Sequence, residues 1–305
     1  FIESKSKEGI RPLTVQQLKQ RTRHFIHSTQ LDTVADITSA HGLIYRDLLL
    51  TEGRSYKSNK DYLAAVSQFF RWCTLMQYTA VNPFNDIKLS NHAVAGPDSA
   101  RQRWQPNELK KLFKSSAFKA RSRELKWVTL LMLYHGLRPS EACQLVVKDI
   151  TEYEGILCLR VTNEGSEQRV KNASSVRLVP LHPKMIELGF NHYVRALKSN
   201  HQIQLFSYRP DNENADWSRQ YCQAFGRLQT NIGMKAGERP TAYSFRHTFI
   251  DEMKQLEIDE NIVAELVGHT NNKVTFGRYG KKYKISLLKK HIDKIDYVAE
   301  FIEKP

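Results

Sequence analysis

Three short strings in the second half of the chain hold side chains that could act on a phosphate ester. In Gly136-Leu137-Arg138-Pro139-Ser140-Glu141-Ala142-Cys143-Gln144-Leu145, Gly136 can end one helix and Ser140 can cap the next. Arg138 is then held at the junction, where a guanidinium suits bidentate recognition of phosphate. An ordinary surface arginine in a helix-to-helix turn would read the same way. In Tyr243-Ser244-Phe245-Arg246-His247-Thr248-Phe249, Arg246 and His247 fall at a helix start, a place that favours anions, while Phe249, Ile250 and Met253 can pack inward. A plain basic helix start over an aromatic core fits that string equally. The third string, Leu266-Val267-Gly268-His269-Thr270, is followed by Tyr279 in Phe276-Gly277-Arg278-Tyr279-Gly280-Lys281-Lys282. Gly268 can end a helix and free His269 to face a neighbouring site. A lone histidine after a helix is otherwise a structural hydrogen-bond donor. Tyr279 is one of 13 tyrosines, packing is its default role, and spacing alone does not select it.

In this order and at these separations, the strings resemble the catalytic domain of the tyrosine recombinases, the phage integrase family. The family's pattern runs Arg, a Lys in a β turn, His-x-x-Arg, His or Trp, and Tyr. The resemblance implies that Arg138 and Arg246 clamp the scissile phosphate, that His269 fills the second histidine position, and that Tyr279 is the nucleophile, with Tyr283 its nearest competitor. It also places Lys171 where the β-turn lysine belongs, ahead of Arg177 in a strand that continues Leu178-Val179-Pro180-Leu181. Arg160, Arg169 and Arg177 are nearby bases, and the rival reading of Lys171 is a contact to the DNA backbone. One position departs from the pattern: Tyr243 stands where most members carry the first His of His-x-x-Arg. A phenol can donate a hydrogen bond to a phosphate oxygen, but with an ordinary pKa of about 10 it is a poor proton acceptor at neutral pH. A general-base role for that position is therefore in doubt, and His247 is a candidate to take over part of it, a structural role being its alternative reading. Glu141 occupies a family-typical acidic position beside the first Arg, suited to orienting its neighbours.

The implied reaction explains these residue types. Attack of a phenolate on a DNA phosphodiester builds negative charge on the non-bridging oxygens, which fixed cationic donors stabilise. The leaving 5′ oxygen needs a proton, which a lysine on a β turn can reach to supply. Capture of the phosphate on Tyr279 conserves the ester's energy, so a second strand's 5′ hydroxyl can rejoin it without ATP. No carboxylate cluster for a metal is legible, and neither a metal nor a cofactor is expected.

These groups must be positioned by a mainly α scaffold with a small antiparallel β-sheet. Thr14 to Ser28, Leu43 to Leu50 and Ser58 to Tyr78 read as helices, the last stopped by Asn82-Pro83. Residues 1–90 are accordingly expected to form a helical DNA-binding domain, similar to the family's core-binding domain. Residues 91–102 lack periodicity and read as a linker, and residues 103–305 as the catalytic domain with a helical tail. Within the latter, Pro106 to Phe113 and Glu124 to Tyr134 read as helices. Gly155 to Val161 and Ser175 to Leu181 form an antiparallel pair with Lys171 between them. Helices return over Pro183 to Leu197, Trp217 to Ile232, Ser244 to Leu256 and Asp259 to Val267. An amphipathic helix is expected between Tyr283 and Phe301. In this family such a tail often docks on a neighbouring protomer, and packing on its own domain is the alternative.

Composition fits a nucleic-acid partner. Among 305 residues, 46 Lys and Arg outnumber 32 Asp and Glu, a formal net charge of +14, which favours a polyanion and makes its binding salt-dependent. Lys57, Lys60 and Arg71 are candidate DNA contacts from the helix after Ser58, and Arg101 and Arg103 from the linker; each alone also reads as solvated surface charge. Cys73, Cys143, Cys158 and Cys222 form no metal-ligand spacing and fit buried thiols in a reducing compartment. No apolar run suffices to span a membrane. A prokaryotic cytoplasmic protein acting on double-stranded attachment sites is expected, as a homotetramer on DNA, with DNA-bending or directionality proteins as possible accessories. Because the chain opens on Phe1 rather than Met, an upstream segment, such as an arm-site-binding domain, is also expected. Two other functions stay open: a non-catalytic DNA-binding protein of the same fold, and a type IB topoisomerase-like enzyme.

Overall fold

A computed structural model gives the structure, describing residues 1–30, 32–90, 103–165, 167–210, 216–269, 282–297 and 302–305. The linker expected at 91–102, with Arg101, and the nucleophile candidate Tyr279 lie outside the described residues. The chain divides into two compact units, 1–96 and 97–305.

The first unit is built from α1 (Ile2–Lys7), α2 (Pro12–Thr29), α3 (Ser39–Thr51) and α4 (Tyr56–Leu75). Ser55 starts α4 by accepting the Ser58 amide at 3.2 Å, and Leu63, Val66, Phe70 and Cys73 then fall on one buried stripe. Phe25 of α2 meets Tyr45 of α3, Phe84 and Phe70 of α4 edge-on, with ring centroids 5.0, 5.3 and 5.7 Å apart, a favoured aromatic geometry. α4 stops at Leu75, short of the expected Tyr78. Gln77 turns left-handed (φ 61°) and the Tyr78 amide closes back on the Cys73 carbonyl at 2.9 Å. The stop is thus a C-terminal cap on a non-glycine residue, ahead of Asn82-Pro83.

The second unit runs α5 (Pro106–Lys114), α6 (Ser116–Lys119), α7 (Arg123–His135), α8 (Pro139–Cys143), β1 (Ile150–Tyr153), β2 (Ile156–Val161), β3 (Arg177–Pro180), α9 (Pro183–Glu187), α10 (Phe190–Ser199), α11 (Arg219–Asn231), α12 (Ser244–Gln255), α13 (Glu260–Val267) and α14 (Ile285–Ile292). From Trp127 to His135 every residue of α7 is buried, as in a helix that is a domain's central rod. It packs on α12. Trp104 stacks on Phe245 of α12 at 4.7 Å and donates its backbone N–H to Thr248 Oγ1 at 2.9 Å.

The sheet has order β1-β2-β3, all antiparallel. The expected pair is β2 and β3, with Leu159 opposite Val179 and Val161 opposite Arg177. β1 adds an edge strand absent from the sequence reading. Its Ile150-Thr151-Glu152-Tyr153 is short and half exposed, so its apolar content is too small to mark it. Glu154 and Gly155, both at positive φ (51° and 75°), make the two-residue hairpin turn that matches strand twist. The expected continuous helix from Pro183 to Leu197 is divided at Gly189 (φ 88°) into α9 and α10. The tail helix is α14, earlier than most of the segment expected to hold it. After it, Ile295, Tyr297 and Ile302 are buried in the same core as α7 and α12, and His182 bonds the Ile295 carbonyl at 2.9 Å. The tail's described apolar residues pack on their own unit.

Candidate active site

Two glycines set up the site. Gly136 ends α7 at φ 61°, and a Cβ there would stand 2.6 Å from Phe249 Cδ1. Gly268 ends α13 at φ 67°, where a Cβ would meet Arg177 Nη1 at 2.9 Å and the Ser175 backbone at 3.0 Å. Both positions combine left-handed backbone with close packing, which only glycine accepts without displacement.

Helix C-termini carry unpaired carbonyls and a partial negative charge. At the end of α13 three consecutive carbonyls each receive an arginine. Arg177 Nε donates to Leu266 O at 2.7 Å, Arg246 Nη2 to Val267 O at 2.6 Å, and Arg138 Nη2 to Gly268 O at 3.4 Å. Arg246 also donates through Nη1 to Gly136 O at 2.7 Å, so one side chain, only 1 % exposed, joins the ends of α7 and α13. His269 follows directly, its N–H bonded to Ala264 O at 2.9 Å. The chain therefore gathers Arg138 and Arg246 beside His269 through the backbone of one helix end.

Glu141, 3 % exposed, compensates part of this charge. Its carboxylate accepts Arg138 Nη1 at 2.5 Å, the Arg138 backbone N–H at 3.0 Å and Arg177 Nη2 at 2.9 Å. Burial alone would raise the Glu141 pKa, but the charge and hydrogen bond of Arg177, aided by Arg138, hold it at about 2. Burial, and next the charge of Arg138, push the Arg246 guanidinium below its usual value; it remains a cation at neutral pH. Burial, followed by the charges of Arg246, Arg138, Arg177 and Lys171, pulls the His269 imidazole down to about 4. At neutral pH that imidazole is uncharged. Arg138 Nε is buried with no hydrogen-bond partner among the described residues, a donor available to an incoming oxygen.

Lys171 is exposed in the β2–β3 loop, near enough for its charge to act on His269. Tyr243 precedes α12, 36 % exposed, its ring edge-on to His247 at 5.1 Å and its oxygen within electrostatic reach of Arg246. Lys57, Lys60 and Arg71 are exposed on α4, away from the stripe that lines the first unit's core. Arg103, expected as a DNA contact, pairs with Asp251 of α12, a carboxylate within its own unit. Sequence reasoning missed the structural part of Arg177, which is 3 % exposed and spends donors on Leu266 O, Ser175 O and Glu141. The available sign was register: Arg177 shares its inward strand face with Val179, an unusual place for a charge.

Residues 102–285 match the model of the phage integrase family. The tyrosine recombinase XerA of Pyrococcus furiosus is 24% identical over 274 residues, covering 90% of this chain and 84% of its own length. The fold is similar to that of a lambda integrase dimer bound to a COC' core site, with TM-score 0.65 and 17% identity over 93% of this chain and 96% of that one. It is also similar to the Tn1549 transposon integrase in complex with circular intermediate DNA, with TM-score 0.66 and 17% identity over 93% of this chain and 95% of that one. The matched segment takes in α5 to α13 and every string that carried the first resemblance, and the chain belongs to the phage integrase family, that of the tyrosine recombinases.

Proposed function

We propose that this chain is a site-specific DNA recombinase that cuts and rejoins duplex DNA through a 3′-phosphotyrosine on Tyr279, serving the integration or excision of a mobile element. The observation that carries this reading is the convergence of Arg138, Arg246 and His269, from three separate stretches of chain, on the end of α13. Such a fixed cationic cluster suits the charge that develops on a phosphodiester under attack.

In this reading Arg138 and Arg246 hold the non-bridging oxygens, and neutral His269 donates a hydrogen bond to one of them. Tyr279 gives up its phenolic proton to solvent water, and the resulting phenolate Oη bonds to phosphorus as the bond to O5′ breaks. The electron pair goes to O5′, which takes a proton from the Lys171 ammonium, leaving the amine. Rejoining reverses each transfer with another strand's 5′ hydroxyl. Tyr243 serves as a hydrogen-bond donor beside Arg246 rather than as a base. Lys57, Lys60 and Arg71 contact the DNA backbone from the first unit, with Arg101 in the linker; Arg103 contributes once its pairing with Asp251 is relaxed. Exchange between two duplex attachment sites uses four copies of the chain, with accessory DNA-bending proteins setting direction, in a prokaryotic cytoplasm.

The test is incubation with a nicked suicide substrate carrying the attachment site, in chelator, followed by denaturing electrophoresis. A covalent protein–DNA adduct is expected from the native chain and none from Tyr279→Phe. Tight binding with no adduct from the native chain would favour a non-catalytic DNA-binding protein. Relaxation of supercoiled DNA lacking any attachment site would favour a topoisomerase.

A further inference from the structure

We infer that Gln144 is a positioning residue for Lys171, clamping the lysine's loop to the same short helix that carries Arg138. The inference rests on the reading of Lys171 as the proton donor.

Gln144 caps the C-terminal end of α8 and is 2 % exposed. Its side chain makes a reciprocal pair with the backbone of Arg169: Nε2 donates to Arg169 O at 3.0 Å and Oε1 accepts Arg169 N–H at 2.9 Å. This copies one rung of an antiparallel ladder with an amide side chain in place of a strand. Gln168 Nε2 returns two bonds, to Gln144 O at 3.1 Å and to Asp149 Oδ2 at 2.7 Å, and Trp217 Nε1 donates to Glu167 O at 3.1 Å.

On the far side of Lys171, Asn172 Oδ1 accepts Ser175 Oγ at 2.6 Å, and Ser175 Oγ in turn accepts Arg138 Nη1 at 3.3 Å. Both flanks of the lysine therefore lead back to α8, one to its C-terminal cap and one to Arg138 at its N-terminal cap. Gln144 thus spends both hydrogen-bonding atoms of its side chain and its backbone carbonyl on the loop that carries Lys171. A long flexible stem reaches a leaving oxygen only if its Cα is held, and a general acid must come within hydrogen-bond distance.

The assay compares single-turnover cleavage of two suicide substrates, one with the natural 5′ oxygen at the scissile bond and one with sulfur in that bridging position. A thiolate, with a conjugate acid pKa of about 8.5, leaves without a proton, whereas an alkoxide does not. Lys171→Ala should lose cleavage of the oxygen substrate and recover on sulfur. Gln144→Met, similar in volume and lacking both hydrogen-bonding atoms, should lose roughly 10²-fold on oxygen, recover on sulfur, and bind the uncleaved site as the native chain does. Gln144→Glu keeps the acceptor for Arg169 N–H but sets a second acceptor against Arg169 O, and the same pattern of loss on oxygen and recovery on sulfur is expected of it, which serves if the Met variant does not fold.

Equal losses on both substrates, or no loss on oxygen, would overturn the assignment of Gln144 while Lys171→Ala still recovers. If Lys171→Ala itself fails to recover on sulfur, the reading of Lys171 falls and takes the inference with it.

Discussion

Replacing Glu141 with Gln removes a carboxylate that Arg138 and Arg177 share. The amide keeps an acceptor but turns its NH₂ toward a guanidinium, donor against donor, in a place 3 % exposed. The native carboxyl lies at about 2 against an ordinary 4.5, and each unit is about 1.4 kcal/mol, so its ionised form contributes about 3 kcal/mol. Breaking a buried pair by removing one partner costs a similar roughly 3–5 kcal/mol. The sign follows from a depressed folded-state pKa: the contribution is complete above about pH 4.5 and is lost as pH falls toward 2. Urea unfolding followed by tryptophan fluorescence measures it, in a Trp72→Phe background so that Trp104, Trp127 and Trp217 report the second unit alone. At pH 7, Glu141→Gln should be about 3 kcal/mol less stable, a melting point lower by roughly 6–12 °C for a unit of this size. The gap from the native chain should narrow between pH 4.5 and 2. A variant within about 0.5 kcal/mol of the native chain at pH 7, the scatter of ordinary surface changes, would refute the claim that Glu141 holds the arginines.

Arg246→Lys cannot reach both Gly136 O and Val267 O from one nitrogen, so it should cost about 1.5–3 kcal/mol in the same unfolding assay and slow adduct formation by at least about 10²-fold; an unchanged midpoint would separate the two helix ends from Arg246. Tyr243→Phe should slow adduct formation by about tenfold, the worth of one charge-assisted hydrogen bond, and an unchanged rate would leave the hydroxyl without a role. His269 should titrate near 4 in the free protein, and rise toward the ordinary value of about 6.5 when duplex DNA brings phosphate among the arginines. Binding near pH 5 then takes up a proton and strengthens as pH falls from 6.5 toward 4, and a free-protein imidazole that already titrates at 6.5 by NMR would contradict this.

What could be read from the sequence depended on whether a residue's partners lie beside it in the chain. Arg138 carries its own context, with Gly136 ahead and Glu141 behind, and the same holds for Arg246 at a helix start and His269 after Gly268. Arg177 does not: its acceptors are Leu266 O, Ser175 O and Glu141, two of them far off in sequence, so only an inward strand register distinguished it from a surface base. Gln144 was invisible for the same reason, because the loop backbone it pairs with has no side-chain signature. In the first unit α1 escaped, because its six residues bury none, while α2 to α4 were legible from periodicity, since α4 must keep Leu63, Val66, Phe70 and Cys73 on one stripe. Its end was not, because Gln77 adopts a left-handed conformation that the residue type does not announce. β1 escaped because an edge strand buries too little to impose alternation.

The charge balance of the site explains how so many arginines can stand together. Among the described residues, Arg138, Arg177 and Arg246 gather about Glu141, and a cluster of that kind would repel itself in a buried setting. The end of α13 offsets part of the excess, since Leu266, Val267 and Gly268 each present a carbonyl to a different guanidinium. These acceptors are dipoles, so they orient the arginines without neutralising them. A second carboxylate in their place would cancel the field that a phosphodiester needs, and burial, with the repulsion of the nearby cations added, keeps the His269 imidazole neutral. The arrangement leaves net positive charge held by rigid backbone, and an anion entering it meets donors already aimed and needs little rearrangement to bind.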